Sequence, residues 1–185
     1  DHILVLTLHH IAGDGASVEI LQQEFSAAYA ARKNGTAPHF DDLTLTYGDI
    51  ARWQRKNFTS GAMQADRDYW QDHLSDQPKV LALPSDRPRP EILGFGGASV
   101  SFKIKDRTAR RLTKISDALK ATPFSVMFAL FTGFLQQLSG SRDISIGTAV
   151  TNRAFETMTP VIGLLANTIV LRVRPDKSSS LDDII

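Results

Sequence analysis

The sequence predicts an α/β fold, in which short strands alternate with helices. Residues 3–8 form a short run rich in branched apolar side chains, as in a buried strand. After Gly15, apolar residues recur at the spacing of an amphipathic helix, and Asn34 and Gly35 supply the stop signal. Residues 98–104 then alternate apolar and polar side chains, which is the period of a half-buried strand.

Capping signals predict the other helices. Thr46, followed three residues later by Asp49, is a helix start, and Pro123 suits the first position of a helix that ends before Gly140. Further helices are predicted over residues 63–74 and after residue 106, and further strands over residues 144–150 and 161–173.

The composition excludes several classes of function. The chain has 185 residues, 42% of them hydrophobic, which is enough for one domain with a core. Its 21 basic and 20 acidic residues include no dense Lys/Arg cluster, so we expect no nucleic-acid partner. The absence of cysteine excludes disulfides, thiolate zinc sites and cysteine nucleophiles. Because no apolar run reaches the roughly 18 residues of a membrane span and no signal sequence is visible, we expect a cytoplasmic location without membrane contact.

Proline and glycine mark a boundary within the chain. Residues 84–97 are too rich in both to sustain regular structure, which predicts a linker. The chain begins without Met and stops in an apparent helix start at residues 181–185, so we expect an excerpt of a larger domain. Four aromatic residues at helical spacing are expected in the core: Tyr47, Trp53, Tyr69 and Trp70.

The candidate reaction centre is residues 9–15, His-His-Ile-Ala-Gly-Asp-Gly. We expect His9 and His10 at the exit of the first strand, and the glycines at 13 and 15 to force a tight turn. Imidazole changes its charge near neutral pH, so it can take a proton from an amine or hydroxyl nucleophile during acyl transfer. No serine or cysteine nucleophile is needed if the acyl group moves directly.

Two other interpretations of this segment are a purely structural role and a metal site. A histidine beside a strand is often only a partly buried structural side chain. A metal site of His9, His10 and Asp14 is disfavoured, because adjacent strand residues point to opposite faces and the glycines oppose a helix that would bring His10 and Asp14 together. We therefore predict no metal site.

Residues 9–17 resemble the HHxxxDGxS signature of nonribosomal peptide synthetase condensation domains, although related acyltransferases share HHxxxDG. Ala16 stands where the family often has tryptophan, and Leu165 and Ala166 replace its usual aromatic and branched residues, which bears on substrate preference. Five further segments resemble family stretches in the family's order: residues 47–54 (YxDxAxWQ), 69–74 (YW…L), 83–90 (LPxDRPRP), 143–153 (a strand and loop ending in arginine) and 162–168 (IGxFxNT).

The resemblance implies a chloramphenicol-acetyltransferase-like two-lobed fold, truncated at both ends. Residues 1–83 would end the N-terminal lobe and carry the HHxxxDG loop. Residues 84–97 would link the lobes, and residues 98–185 would form the first half of the C-terminal lobe.

The resemblance also implies catalytic roles. His10 would act as general base toward the attacking amine or would orient it, and His9 would support the loop. Gly15 would bring its N–H to the thioester or the developing oxyanion, with a turn that needs positive φ as the alternative.

Three more residues have implied roles. Asp14 would form a buried, bidentate structural ion pair with Arg153 across the lobes. Asn167 would lie near the substrate tunnel, or would make only a strand-end hydrogen bond.

The implied reaction is attack by the amine of an aminoacyl thioester on an upstream acyl or peptidyl thioester, which forms an amide in secondary metabolite biosynthesis. Both substrates would arrive on 4′-phosphopantetheine arms of upstream and downstream peptidyl carrier domains, with an adenylation domain in the same assembly line. The domain itself would bind no cofactor.

Several related activities are alternatives to amide formation. An ester-forming acyltransferase is disfavoured by the linker and the 162–168 segment, an epimerising relative by Gly15, and a heterocyclising relative by His9. The chain could also belong to a catalytically silent domain that recruits partners, or could be an excerpt that is folded but inert.

Overall fold

The computed structural model describes residues 2–88, 90–92, 94, 96–175 and 183–184. The chain divides into two compact units, Asp1–Ser75 with Gly147–Ile169 and Asp76–Ile146 with Val170–Ile185. The predicted division into two lobes joined by residues 84–97 stays a prediction. All the candidate site residues belong to the first unit: His9, His10, Asp14, Gly15, Arg153 and Asn167.

The described residues of the first unit form three α-helices, each near its predicted position. Helix α1 spans Gly15–Lys33 and stops before Asn34, after which Gly35 has a left-handed φ of 73°. Helix α2 spans Tyr47–Thr59 and begins with the predicted capping box between Thr46 and Asp49. Helix α3 spans Gln64–Leu74.

In the described part of the second unit, two α-helices pack on each other, α4 (Asp106–Leu119) and α5 (Pro123–Ser139). The start of α5 is fixed by Thr122, whose hydroxyl accepts a hydrogen bond from Ser125 N, and its end by Gly140 at φ 70°. Among the described residues no single helix is long and apolar enough to cross a membrane. Helices α4 and α5 meet that requirement only when taken together, and they are bent by 107° at their junction.

Strands β1 (Ile144–Val150) and β2 (Asn167–Val173) form a two-stranded sheet. The first matches its prediction, whereas the second was predicted to begin at residue 161. Residues 161–166 are not a strand, because side chains from elsewhere in the unit hydrogen-bond to their backbone. A 3₁₀ turn, Glu156–Met158, precedes this segment.

Two predicted strands are wrong. Residues 3–8 and 98–104 have no strand structure and are exposed, with Ile3 at 92% and Val100 at 88%. A strand forms only when its backbone pairs with a neighbour, and no described residue provides that neighbour here. The branched apolar composition of both segments was therefore not sufficient.

The prediction that the four aromatic residues lie in the core is also wrong, since Trp70 is only partly buried and the other three are exposed. Tyr47, Trp53 and Tyr69 are 42%, 43% and 57% exposed. The core cluster of the first unit is aliphatic and joins α2 to the 158–165 segment; its members are Ile50, Met158, Val161 and Leu165, with Leu45 against them.

An ion network lies in the second unit. The buried guanidinium of Arg172 binds both carboxylate oxygens of Asp143, and its Nη1 donates to Asp76 at 2.9 Å. Hydrogen bonds from Arg172 hold the pKa of both carboxyl groups below the usual range. Because Asp143 precedes β1 and Arg172 lies in β2, the network fastens one strand to the other.

Candidate functional site

The histidine pair lies in a 3₁₀ turn and not at a strand exit. The turn spans His10–Ala12, and His9 caps it with an Nδ1 that accepts the Ile11 N–H at 3.1 Å. An accepting Nδ1 has no proton, so neutral His9 carries its proton on Nε2. The His9 ring thus supports the turn, and both histidines are exposed.

The ring of His10 is held in the opposite tautomer. Its Nδ1 lies 2.9 Å from the carbonyl oxygen of Gly13. A carbonyl oxygen can only accept, so Nδ1 must carry the proton, and Nε2 of the neutral ring keeps a free lone pair. On this exposed side chain, Nε2 is the atom available to take a proton from a substrate.

Asp14 is buried, at 3% exposure, and its carboxylate is saturated by hydrogen bonds. Oδ1 accepts from the Ser17 N–H at 3.0 Å, and Oδ2 accepts from the N–H groups of Leu165 at 3.1 Å and Ala166 at 3.0 Å. Burial alone would raise the pKa of this carboxyl, but the hydrogen bonds from Ser17, Ala166 and Leu165 outweigh it and hold the pKa well below its usual range. Asp14 is therefore a fixed charge with no proton to give at neutral pH.

The ion pair predicted between Asp14 and Arg153 is present. Arg153 Nη2 donates to Asp14 Oδ1 at 3.0 Å, and the side chains are 6% and 2% exposed. The predicted bidentate geometry is wrong, because Nη1 instead donates to the carbonyls of Met158 at 2.7 Å and Val161 at 2.8 Å. Arg153 thus fastens the backbone of the segment before β2 as well as neutralising Asp14.

The two signature glycines do not need left-handed backbone. Gly13 has an extended φ of −174°, and Gly15, the first residue of α1, is not among the glycines with positive φ. The prediction of a turn that requires positive φ is wrong, since the 3₁₀ turn and the Asp14 cap direct the chain. A Cβ on Gly13 would lie 3.0 Å from Ser17 Cβ, whereas one on Gly15 would meet no described atom within 4 Å.

Asn167 is the first residue of β2 and is exposed. Its Oδ1 accepts the N–H of Thr168 at 2.8 Å. The strand-end hydrogen bond is therefore present, and a role near the substrate stays a prediction.

Sequence reasoning missed the residues that fasten the 161–166 segment. The Tyr47 hydroxyl donates to the Leu164 carbonyl at 3.2 Å, and its ring lies directly over Gly163, where a Cβ would come within 2.2 Å of the ring. Ser17 also binds this segment. Ser17 is the third residue of a helix that Asp14 caps, and this local pattern could have identified it. No local pattern pairs Tyr47 with Gly163.

We expect Gly163→Ala to lower the free energy of unfolding by about 1–3 kcal/mol. The new methyl group would displace the Tyr47 ring and its hydrogen bond to Leu164. The midpoint of urea denaturation, followed by tryptophan fluorescence, measures the effect. The control is Gly133→Ala inside α5, where a Cβ meets nothing within 4 Å and alanine favours the helix. Equal midpoints for the two variants would contradict the predicted close contact.

Among the described residues, no group of three or more His, Cys, Asp or Glu side chains could hold a metal ion. The first unit thus presents the exposed imidazole of His10, with Nε2 free to accept, close in sequence to the buried ion pair of Asp14 and Arg153.

Two solved structures have folds similar to the fold of this chain. The X-domain from teicoplanin biosynthesis matches 96% of this chain with a TM-score of 0.85 at 24% identity, and the first condensation domain of the CDA synthetase matches 96% with a TM-score of 0.73 at 24% identity. The chain covers 40% and 38% of those two structures. These likenesses show a chloramphenicol-acetyltransferase-like fold, as predicted.

A family model described as "Condensation domain" matches residues 1–185, and the chain belongs to that family. It is 38% identical over 94% of its length to the malpibaldin synthetase of Mortierella alpina. It is 35% identical over its whole length to the phosphinothricin tripeptide synthetase PhsC of Streptomyces viridochromogenes. The chain spans 3% and 17% of these two relatives.

Proposed function

We propose that this chain carries the reaction centre of a domain that forms an amide bond between two carrier-bound thioesters of a nonribosomal peptide synthetase. The observation that carries the proposal is the contact between His10 Nδ1 and the Gly13 carbonyl. It leaves Nε2 as a free base on an exposed ring, whereas the nearby carboxylate of Asp14 is buried and fully bonded.

The proposed chemistry needs one base and one anion site. The amine of the downstream aminoacyl thioester attacks the carbonyl carbon of the upstream thioester, and His10 Nε2 takes the proton that the amine loses. The C–S bond then breaks, and the proton passes from His10 to the departing thiolate, which leaves as a thiol. The alternative role for His10, to orient the amine through the same lone pair, uses the same tautomer.

Gly15 is the proposed donor to the oxyanion that develops during the attack. It opens α1, where backbone N–H groups lack partners within the helix, and its N–H makes no hydrogen bond to any part of the chain that the structure describes. The helix dipole adds a partial positive charge at this end. His10 in the 3₁₀ turn and Gly15 at the start of α1 therefore supply complementary functions from one short stretch of chain. Asn167 is proposed to contact substrate from the start of β2.

The names of the relatives support the proposal for substrates and partners. These relatives are named as a malpibaldin synthetase, a phosphinothricin tripeptide synthetase and a subunit of a linear gramicidin synthase. We propose that both substrates arrive on 4′-phosphopantetheine arms of peptidyl carrier domains, with an adenylation domain in the same assembly line, and that the domain binds no cofactor itself. We also propose a cytoplasmic location.

The test offers the full-length protein two alternative acceptors, an amine and a hydroxyl. The donor carrier is loaded with its acyl group, and the acceptor carrier with either an aminoacyl group or the matching hydroxyacyl group. Intact-protein mass spectrometry of the acceptor should show transfer of the donor acyl group to the amine and little to the hydroxyl. Transfer to the hydroxyl alone would favour an ester-forming acyltransferase, and no transfer to either would favour a silent domain that recruits partners.

A further inference from the structure

We propose that Ser17 is a positioning residue. Its hydroxyl fixes the position of the turn that carries His10 relative to residues 161–166, which lead into β2. The inference rests on the proposed function and concerns a side chain that does not touch the substrate. Ser17 lies on the third position of α1 and is 0% exposed.

The hydroxyl of Ser17 uses its full hydrogen-bonding capacity. Its one hydrogen is shared between two acceptors, Asp14 Oδ1 at 2.8 Å and the Gly163 carbonyl at 3.0 Å. Its lone pairs accept from Gly163 N–H at 3.1 Å and from Arg153 Nη2 at 3.4 Å. A hydroxyl offers one donor and two acceptor sites, so none is left over.

Ser17 is also in contact with the backbone that orients His10. A Cβ built on Gly13 would lie 3.0 Å from Ser17 Cβ and 3.5 Å from Ser17 Oγ, so the Gly13 Cα lies close to the serine side chain. The Gly13 carbonyl in turn holds His10 Nδ1. Because buried contacts of this kind are close-packed, a displacement of Ser17 is passed to the carbonyl that fixes the ring.

On its other side, Ser17 binds both the backbone N–H and the carbonyl of Gly163. The next amides along the chain, at Leu165 and Ala166, bind Asp14, and β2 begins at Asn167. One hydroxyl thus connects the loop that carries the base with the segment that ends at the proposed substrate contact. Alanine would leave the Gly163 N–H buried without a partner, and threonine would add a methyl group to a site with no free surface.

The test compares Ser17→Ala with Ser116→Ala in the full-length protein with loaded carriers. Ser116 is a matched control, a serine in α4 that is 4% exposed and whose hydroxyl donates to the Leu112 carbonyl at 3.1 Å in the other unit. We expect Ser17→Ala to lower kcat by about 10- to 100-fold per folded molecule, as misplacement of a reacting group does, with KM for both carriers nearly unchanged. Ser116→Ala should retain the native kcat.

A second measurement does not depend on catalysis. In the full-length protein labelled with ¹⁵N-histidine, the Ser17→Ala variant should shift the His10 ring from the Nδ1-protonated form toward a mixture of tautomers. The proposal is overturned if kcat falls no further than in Ser116→Ala, or if the His10 ring signals are unchanged. If the native protein forms no amide, the proposed function fails, and the ring signals alone decide whether Ser17 positions His10.

Discussion

Arg153→Ala is expected to speed hydrogen exchange of the Leu165 and Ala166 amides by about 10²–10⁴-fold. Both amides donate to Asp14, whose buried carboxylate would lose its cationic partner. Breaking a buried ion pair by removing one partner costs about 3–5 kcal/mol. Each 1.4 kcal/mol raises the equilibrium constant for local opening about tenfold, and the exchange rate rises with it. The same change removes the Arg153 donor from the carbonyls of Met158 and Val161, and the Met158 carbonyl keeps only the N–H of Val161.

The matched control is Arg52→Ala. Arg52 pairs with Asp49 on α2, and its side chain is 76% exposed, so water screens the pair and its loss should change stability by less than about 1 kcal/mol. Hydrogen exchange of the full-length protein, resolved by peptide, reports both variants at once. If Arg153→Ala accelerates exchange over residues 161–166 no more than Arg52→Ala does, the structural role assigned to the buried pair is wrong.

His10→Ala is expected to lower the rate of amide formation by about 10²–10⁴-fold, the usual contribution of a general acid–base group. The ring is exposed and bonded only through Nδ1 to Gly13 within the part of the chain that the structure describes, so its removal should leave the fold intact. Single-turnover transfer from donor to acceptor carrier, followed by mass spectrometry, measures the rate.

His39→Ala serves as the control, because His39 is exposed, lies in a loop and belongs to no proposed site. It should keep the native rate. His9→Ala should have a smaller effect than His10→Ala, since the His9 ring supports the turn through Ile11. A native rate in His10→Ala would leave condensation possible but would reduce His10 to a structural residue.

Helices could be predicted from the sequence because their end signals are local. Thr46 with Asp49, Thr122 before Pro123, and Gly140 each act within one turn of chain, and the structure has the corresponding helix ends. Strands depend on a partner distant in sequence. For this reason the period-2 pattern at 98–104 gave a wrong strand, whereas β1 formed beside β2.

The candidate site was predictable where it follows a known signature. The resemblance paired Asp14 with Arg153, which are 139 positions apart and 3.0 Å from each other in the structure. It gave no indication that Asp14 Oδ2 binds two backbone amides or that Tyr47 covers Gly163, because those contacts depend on how the 161–166 segment folds. The local pattern also placed His10 at a strand exit, whereas a 3₁₀ turn carries it.

The proposed mechanism depends above all on the Gly13 carbonyl, which holds the proton of His10 on Nδ1 and leaves Nε2 free as the base. The most direct test is ¹⁵N NMR of the native full-length protein labelled at histidine, with His10 assigned by its absence in His10→Ala. We predict an Nδ1 signal typical of a protonated nitrogen and an Nε2 signal typical of an unprotonated one when the ring is neutral. Neutral His10 protonated on Nε2 would contradict this assignment.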